Sequence, residues 1–178
     1  MVRRVVTGHS QGKAVFLEDG PPPQSYAFDA MPGSAFSDVW RTEAEAEIPP
    51  AGPADPVTSR WPVIPAAGET RLIVLQIGPQ SMAMQEDFDA AAAAAEFAER
   101  QPDMAERMEP DAPGMHRTDS VDYVIVLEGE IHLELDDQRE KRLTAQDIVV
   151  QNGTRHAWRN RSERPAVLAV VLVGARRR

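Results

Sequence analysis

The sequence predicts an all-β domain, a barrel or sandwich of short strands, and three observations predict it. β-branched and aromatic residues gather in short runs, and a turn signal recurs roughly every ten residues. Helical composition is confined to one stretch, residues 84–108. A parallel α/β sheet would need helices between its strands, and the sequence does not supply them.

Residues 5–7 and 14–17 are brief apolar runs on either side of the turn signal at 8–12, so they read as a hairpin. Asp19-Gly20-Pro21-Pro22-Pro23 then stops regular pairing. Residues 36–42 (FSDVWRT) alternate apolar and polar side chains, and residues 70–77 (TRLIVLQI) are rich in β-branched ones, so both read as strands. Between them, residues 47–65 hold six prolines. Proline has no N–H for a ladder, and the stretch reads as an irregular surface arm.

Six consecutive alanines, 90–95, stand among Glu, Gln and Arg and predict a helix with Met84, Phe88, Ala91, Ala92 and Ala95 on its packed face. Pro102 ends or restarts it. Such a helix either packs outside the β-domain or covers a pocket. From residue 115 the pattern is β again. Residues 123–127 and 130–135 flank the tight-turn signal Glu128-Gly129, and Asp136-Asp137-Gln138 closes the next connection. Residues 148–150, 156–159 and 167–173 supply three further strands. The length suits one domain over 1–178, with N-terminal strands and a proline-rich arm (1–80), a helical insertion (81–110) and a core (111–178).

Composition narrows the function. A net charge of -9 argues against nucleic-acid binding, which draws on clustered Lys and Arg. Arg3, Arg4 and Arg176 to Arg178 read as solvated terminal runs. With no cysteine, disulfides, thiolate metal sites and a thiol nucleophile are excluded, leaving histidine and carboxylate as metal ligands. The chain begins without an apolar run of signal-peptide length and has no stretch near ~20 apolar residues, so it reads as soluble and cytoplasmic, without a membrane partner. No GxSxG elbow, phosphate-cradling GxxxxGK or HExxH helix is present.

What remains is two clusters: His116, Thr118 and Asp122 before Gly129, then Gly153, His156 and Asn160. In a strand alternate residues share a face, so His116, Thr118, Asp122, Val124 and Val126 form one row, polar at one end and apolar at the other. Trp158 shares parity with His156 and reads as a pocket wall. Trp40, Trp61 and Tyr123 suit core, pocket or subunit packing. His9 and His132 have no partner at useful spacing, and His132 is expected to face solvent. Asn160 is expected to satisfy backbone groups at a bend.

These clusters resemble the two-part signature of the cupin family, HxHxxxE with a following glycine, then PxGxxHxxxN. The first stands here as His116-Arg117-Thr118-Asp119-Ser120-Val121-Asp122 with Gly129 at the family's spacing, the second as Gln151-Asn152-Gly153-Thr154-Arg155-His156 through Asn160. The resemblance implies a double-stranded β-helix (jelly-roll) barrel and a homodimer in which residues 5–17 pad or swap onto a partner sheet. By position His116, Asp122 and His156 are the metal ligands, while Thr118 replaces a histidine, Asp122 a glutamate, Gln151 a proline and Ala145 a glycine. Two histidines and a carboxylate suit one Fe, Mn, Ni or Zn ion. The other reading is a metal-free polar pocket that binds a small molecule through His116, Thr118, Asp122 and His156. The resemblance therefore implies a metal-dependent enzyme (oxygenase, decarboxylase, isomerase or dehydratase) on a small organic acid or natural-product intermediate. Its alternative is a non-catalytic binding or sensor module with a degenerate metal site. Beyond these ligands the sequence assigns no catalytic residue.

Overall fold

The computed structural model describes residues 2–48, 55–59 and 62–178, and Trp61 lies outside them. In chain order the strands are β1 (Arg4–Ser10), β2 (Lys13–Gly20), β3 (Gln24–Ala27), β4 (Ala35–Thr42), β5 (Thr70–Ile77), β6 (Ser120–Glu128), β7 (Glu130–Glu134), β8 (Glu140–Thr144), β9 (Ile148–Gln151), β10 (Ala157–Arg159) and β11 (Ala166–Gly174). Two short helices, α1 (Ala90–Arg100) and α2 (Pro102–Ala105), lie between β5 and β6. The fold is all-β. A six-stranded sheet, β3-β4-β5-β11-β6-β9, faces a three-stranded one, β10-β7-β8, and β1 and β2 form a separate hairpin.

Strand patterning explains the core. β11 alternates buried and half-buried residues along its whole length, presenting Ala166, Leu168, Val170 and Leu172 inward. Val124 and Val126 of β6 lie beside them, and Ile131 of β7 reaches the same cluster from the smaller sheet. Each such aliphatic side chain contributes roughly 1.5–3 kcal/mol of burial. The N-terminal hairpin turns at Gln11 and Gly12, whose φ values of 50° and 75° are those of a two-residue primed turn.

Several expectations need correction. β6 and β7 flank Gly129 but do not pair: β6 bonds to β11 and β9, β7 to β10 and β8. Glu128-Gly129 is thus a corner between sheets rather than a hairpin turn. Gly129 has φ 79°, and a Cβ there would stand 2.7 Å from the Pro165 carbonyl oxygen. The helix starts at Ala90, capped by the Asp89 carboxylate, which accepts from the N–H groups of Ala91 and Ala92. Its inward residues are therefore Ala93 and Phe97, while Met84, Ala91, Ala92 and Ala95 are exposed. Pro102 restarts the helix as the first residue of α2. The proline-rich stretch is no surface arm throughout, since Val57 and Val63 are buried. β3 and β8 carry no strong sequence signal, being short and polar.

The terminal arginines are also engaged. Arg4 is buried, donates to the Val39 carbonyl and pairs with Asp55. Arg177 donates to Asp119 at 2.6 Å and to the Thr118 and Gly153 carbonyls at 3.0 and 3.1 Å. His132 is half-buried, with Glu130 and Glu140 oxygens at 3.5 and 3.3 Å, rather than free in solvent. No helix among the described residues is long and apolar enough to cross a membrane.

Candidate ligand and metal site

His116 and His156 face each other across an isolated antiparallel bridge, with His116 N–H to His156 O at 3.0 Å and the reverse bond at 2.9 Å. Opposed residues of such a bridge project to one face, and the imidazole centroids stand 4.3 Å apart. Each ring is oriented by backbone: His116 Nδ1 is 2.9 Å from the Gly114 carbonyl oxygen and His156 Nδ1 is 3.0 Å from that of Thr154. A carbonyl only accepts, so each Nδ1 carries the proton and each Nε2 keeps its lone pair.

Both rings are buried. Burial lowers the His116 pKa, and burial with the neighbouring His116 lowers that of His156 to about 4. The pair is therefore neutral at pH 7. Asp122, 5% exposed, is pushed the other way: burial raises its pKa, opposed by the Ser120 and Thr118 hydroxyls. Ser120 Oγ donates to Thr118 Oγ1 at 2.9 Å, and Asp122 Oδ1 is buried without a hydrogen-bond partner. An unpartnered buried carboxylate oxygen is costly, and it marks a place where a ligand belongs.

His116, Thr118, Asp122, His156 and Trp158 all line one cavity of about 320 Å³ inside the barrel. The rest of its wall is mostly apolar, including Phe28, Val124 and Leu172, and among the described residues no Lys or Arg lines it. Phe97, Met104 and Met108 from the helical insertion also line the cavity, so the insertion covers the pocket. Trp158 meets His156 edge-on at 5.8 Å. Trp40 and Tyr123 are not in this wall: Trp40 stacks beneath Arg4, and Tyr123 is on the outer sheet face, 46% exposed.

The two structural glycines and Asn160 hold the frame. Gly153 has φ 57°, and a Cβ there would stand 3.0 Å from the Thr118 carbonyl oxygen. Asn160 is buried, donating to the Ile77 and Arg164 carbonyls at 2.8 Å each and accepting from Ser162. Arg155 turns outward, away from Asp122, and grips Glu109 and Asp136. Ser120 and Arg177 are additions to the expected set. Ser120 shares strand parity with Thr118 and Asp122, which could have revealed it; nothing in the sequence places Arg177.

Residues 105–173 match the family model described as the cupin domain. This segment is a cupin domain. It holds both motif clusters and β6 to β10, with most of β11. Phomopsin biosynthesis cluster protein C′ of Diaporthe leptostromiformis is 56% identical over 48 residues, 27% of this chain and 25% of the relative. Oryzines biosynthesis cluster protein J of Aspergillus oryzae is 43% identical over 51 residues, 29% and 28% of the two chains. The match thus spans about a quarter of each relative's length. A solved RmlC-like cupin family protein with a double-stranded β-helix fold, from Methanocaldococcus jannaschii, is 14% identical over 59% of this chain and 70% of its own, with TM-score 0.38.

For a divalent metal the cupin pocket offers suitable donor types, two neutral Nε2 atoms and a carboxylate. Among the described residues, however, no three His, Asp or Glu side chains are gathered closely enough to hold one ion.

Proposed function

We propose that the cupin barrel takes a small organic molecule into its cavity, docking the ligand's polar end directly on His116, Thr118, Asp122 and His156 with Trp158 as a wall. The observation that carries this is the polar end itself. Two oriented Nε2 lone pairs and an unpartnered Asp122 oxygen sit at one side of an otherwise apolar, covered cavity, the usual anatomy of a small-molecule site. A thermal-shift screen of small polar organics tests it. Compounds that stabilise the wild type are expected to lose at least tenfold in affinity with Asp122→Ala or His156→Ala; hits unaffected by both would defeat the proposal.

The second reading is a metal-dependent cupin enzyme with His116, Asp122 and His156 as ligands, favoured by the paired Nε2 atoms. An Fe, Mn, Ni or Zn ion held there would act as a Lewis acid toward a ligand oxygen. It requires Asp122 to join the histidine pair. Elemental analysis of untagged protein, with metal titration of wild type, His156→Ala and Asp122→Ala, decides it: one ion per chain lost in both variants supports it, and equal behaviour of all three sinks it.

We also propose that the chain forms a homodimer. Tyr123 and Val150 are directly opposed on the outer face of β6 and β9, as are Ile125 and Ile148, and Tyr123, Leu127, Ile148 and Val150 are exposed. Beyond its buried root at Arg4 and Val6, the β1–β2 hairpin exposes Val5, Phe16 and Leu17. One copy's hairpin laid on the other's β6–β9 face would join these surfaces. These exposed apolar side chains would form the core of such an interface, whose standard size is about 800 Å² per partner. Sedimentation should give a dimer for wild type and a monomer for Phe16→Glu or Val150→Glu; a monomeric wild type at 100 micromolar would end this proposal.

A further inference from the structure

A second, more open cavity of about 370 Å³ lies against the outside of the barrel end. It is formed by Pro32, Pro79, Met82, Ala83 and Phe88 with Pro113, from the loops on either side of the barrel mouth. Five residues line both cavities: Met31, Ser34, Ile77, Gly114 and Trp158. The two spaces therefore adjoin along one shared wall, and Trp158 stands between the histidine end of the barrel and the outer groove.

Hydrogen-bonding capacity at the inner end restricts the ligand further. Because the Gly114 and Thr154 carbonyls fix both Nδ1 atoms as donors, the two Nε2 atoms can only accept. Asp122 Oδ1 is a third site without a partner. With no Lys or Arg among the described lining residues, a carboxylate or phosphate would meet acceptors and a carboxyl group, with no cation to offset it.

Resting on the barrel reading above, we propose that the ligand is an elongated amphipath. Its hydroxyl- or amine-bearing head donates hydrogen bonds to His116, His156 and Asp122. Its apolar body passes Trp158 and lies in the outer groove against Met82, Ala83 and Phe88. This places specificity for length in residues outside the cupin motifs, on the segment just before α1. It also departs from the organic-acid substrate that the family resemblance implies.

The test uses 1,2-alkanediols of six to twelve carbons and straight-chain carboxylic acids of the same lengths, titrated calorimetrically into the full chain. Diol affinity is expected to rise roughly fourfold per methylene through the longest members, the increment of a buried CH₂. Each acid should bind at least tenfold more weakly than its diol. Ala83→Phe, an exposed position that lines only the groove, should weaken the longest diol at least tenfold and leave the shortest within twofold. Diols that bind but stop gaining with length, indifferent to Ala83→Phe, would overturn the groove assignment and leave the barrel reading intact. Acids that bind more tightly than diols would overturn the donor-head assignment. If no diol binds at all, this proposal falls, while the barrel reading stands or falls separately by the thermal-shift screen with Asp122→Ala and His156→Ala.

Discussion

Two buried polar clusters reach the inner face of the same sheet at different strands, and they are built by different rules. The outer cluster lies toward the β3 edge, where Arg4, Arg41 and Arg71 mingle with Asp38, Asp55 and Glu69. The inner cluster lies about β6, where His116, His156, Thr118, Ser120 and Asp122 gather with no Lys or Arg among the described residues lining their cavity. In the first, most charges find a partner within the cluster: Arg71 donates to Glu69 at 2.7 Å and to the Pro62 and Thr70 carbonyls, and Arg4 pairs with Asp55 while lying over Trp40. This cluster straps the N-terminus and the proline-rich stretch to the barrel. The second leaves acceptors pointing into empty space. Asp38 Oδ1 lacks a partner as Asp122 Oδ1 does, but of the two only Asp122 lines the barrel cavity, where a ligand can supply one.

The largest expected effect lies in the outer cluster. Arg71 is 4% exposed, and Arg71→Ala would leave Glu69 and the Pro62 carbonyl without their donor. Breaking one partner of a buried ion pair costs about 3–5 kcal/mol. The urea midpoint should fall accordingly while the affinity of any barrel ligand, measured where the protein is still folded, stays within twofold. Loss of ligand affinity without loss of stability would erase the distinction between the clusters.

Acid pH separates them next. The His156 pKa falls from 6.5 unfolded to about 4 folded. Its neutral form therefore supports the fold above pH 6.5, and that support is lost as pH drops toward 4, by about 3 kcal/mol. Asp38 runs opposite. Burial outweighs Arg71, Arg41 and Arg4 and raises its pKa from 3.8 to about 6, so stability present below pH 3.8 is lost as pH rises through 6, again by about 3 kcal/mol. Between pH 6.5 and 4 the two contributions nearly cancel in the wild type. Denaturation across this window should show His156→Asn gaining stability relative to wild type on acidification and Asp38→Asn losing it. Parallel profiles for both variants would mean that neither group titrates as its burial dictates.

The inner cluster was legible in the sequence and the outer one was not, for a physical reason. His116, Thr118 and Asp122 keep alternate spacing in the segment leading into β6, and the bridge between His116 and His156 brings the second cluster to them. Arg4, Asp38, Asp55 and Arg71 come from four separate segments, and only tertiary packing joins them. The same holds for the helix: its alanine run announced its existence, but the packed face depended on where Asp89 caps it, one turn later than the periodicity of Met84 and Phe88 suggested. The corner at Gly129 carries a tight-turn signal that looks alike in sequence whether the next strand pairs back or crosses to the other sheet.

The smallest effect should be the most informative about the inner cluster. At Asp122 the folded pKa is raised by burial, and one carboxylate oxygen has no partner, so near neutral pH the ionised side chain opposes folding. Asp122→Asn keeps the shape and removes the charge. A substitution at a structural ion pair would destabilise, but this one should raise the urea midpoint at pH 7, as expected where a site trades stability for binding. The gain should shrink as pH falls toward 4, since the wild-type carboxyl then carries its own proton in the folded state. If Asp122→Asn instead destabilises at pH 7, the carboxylate is already matched from within, as those of Asp55 and Glu69 are.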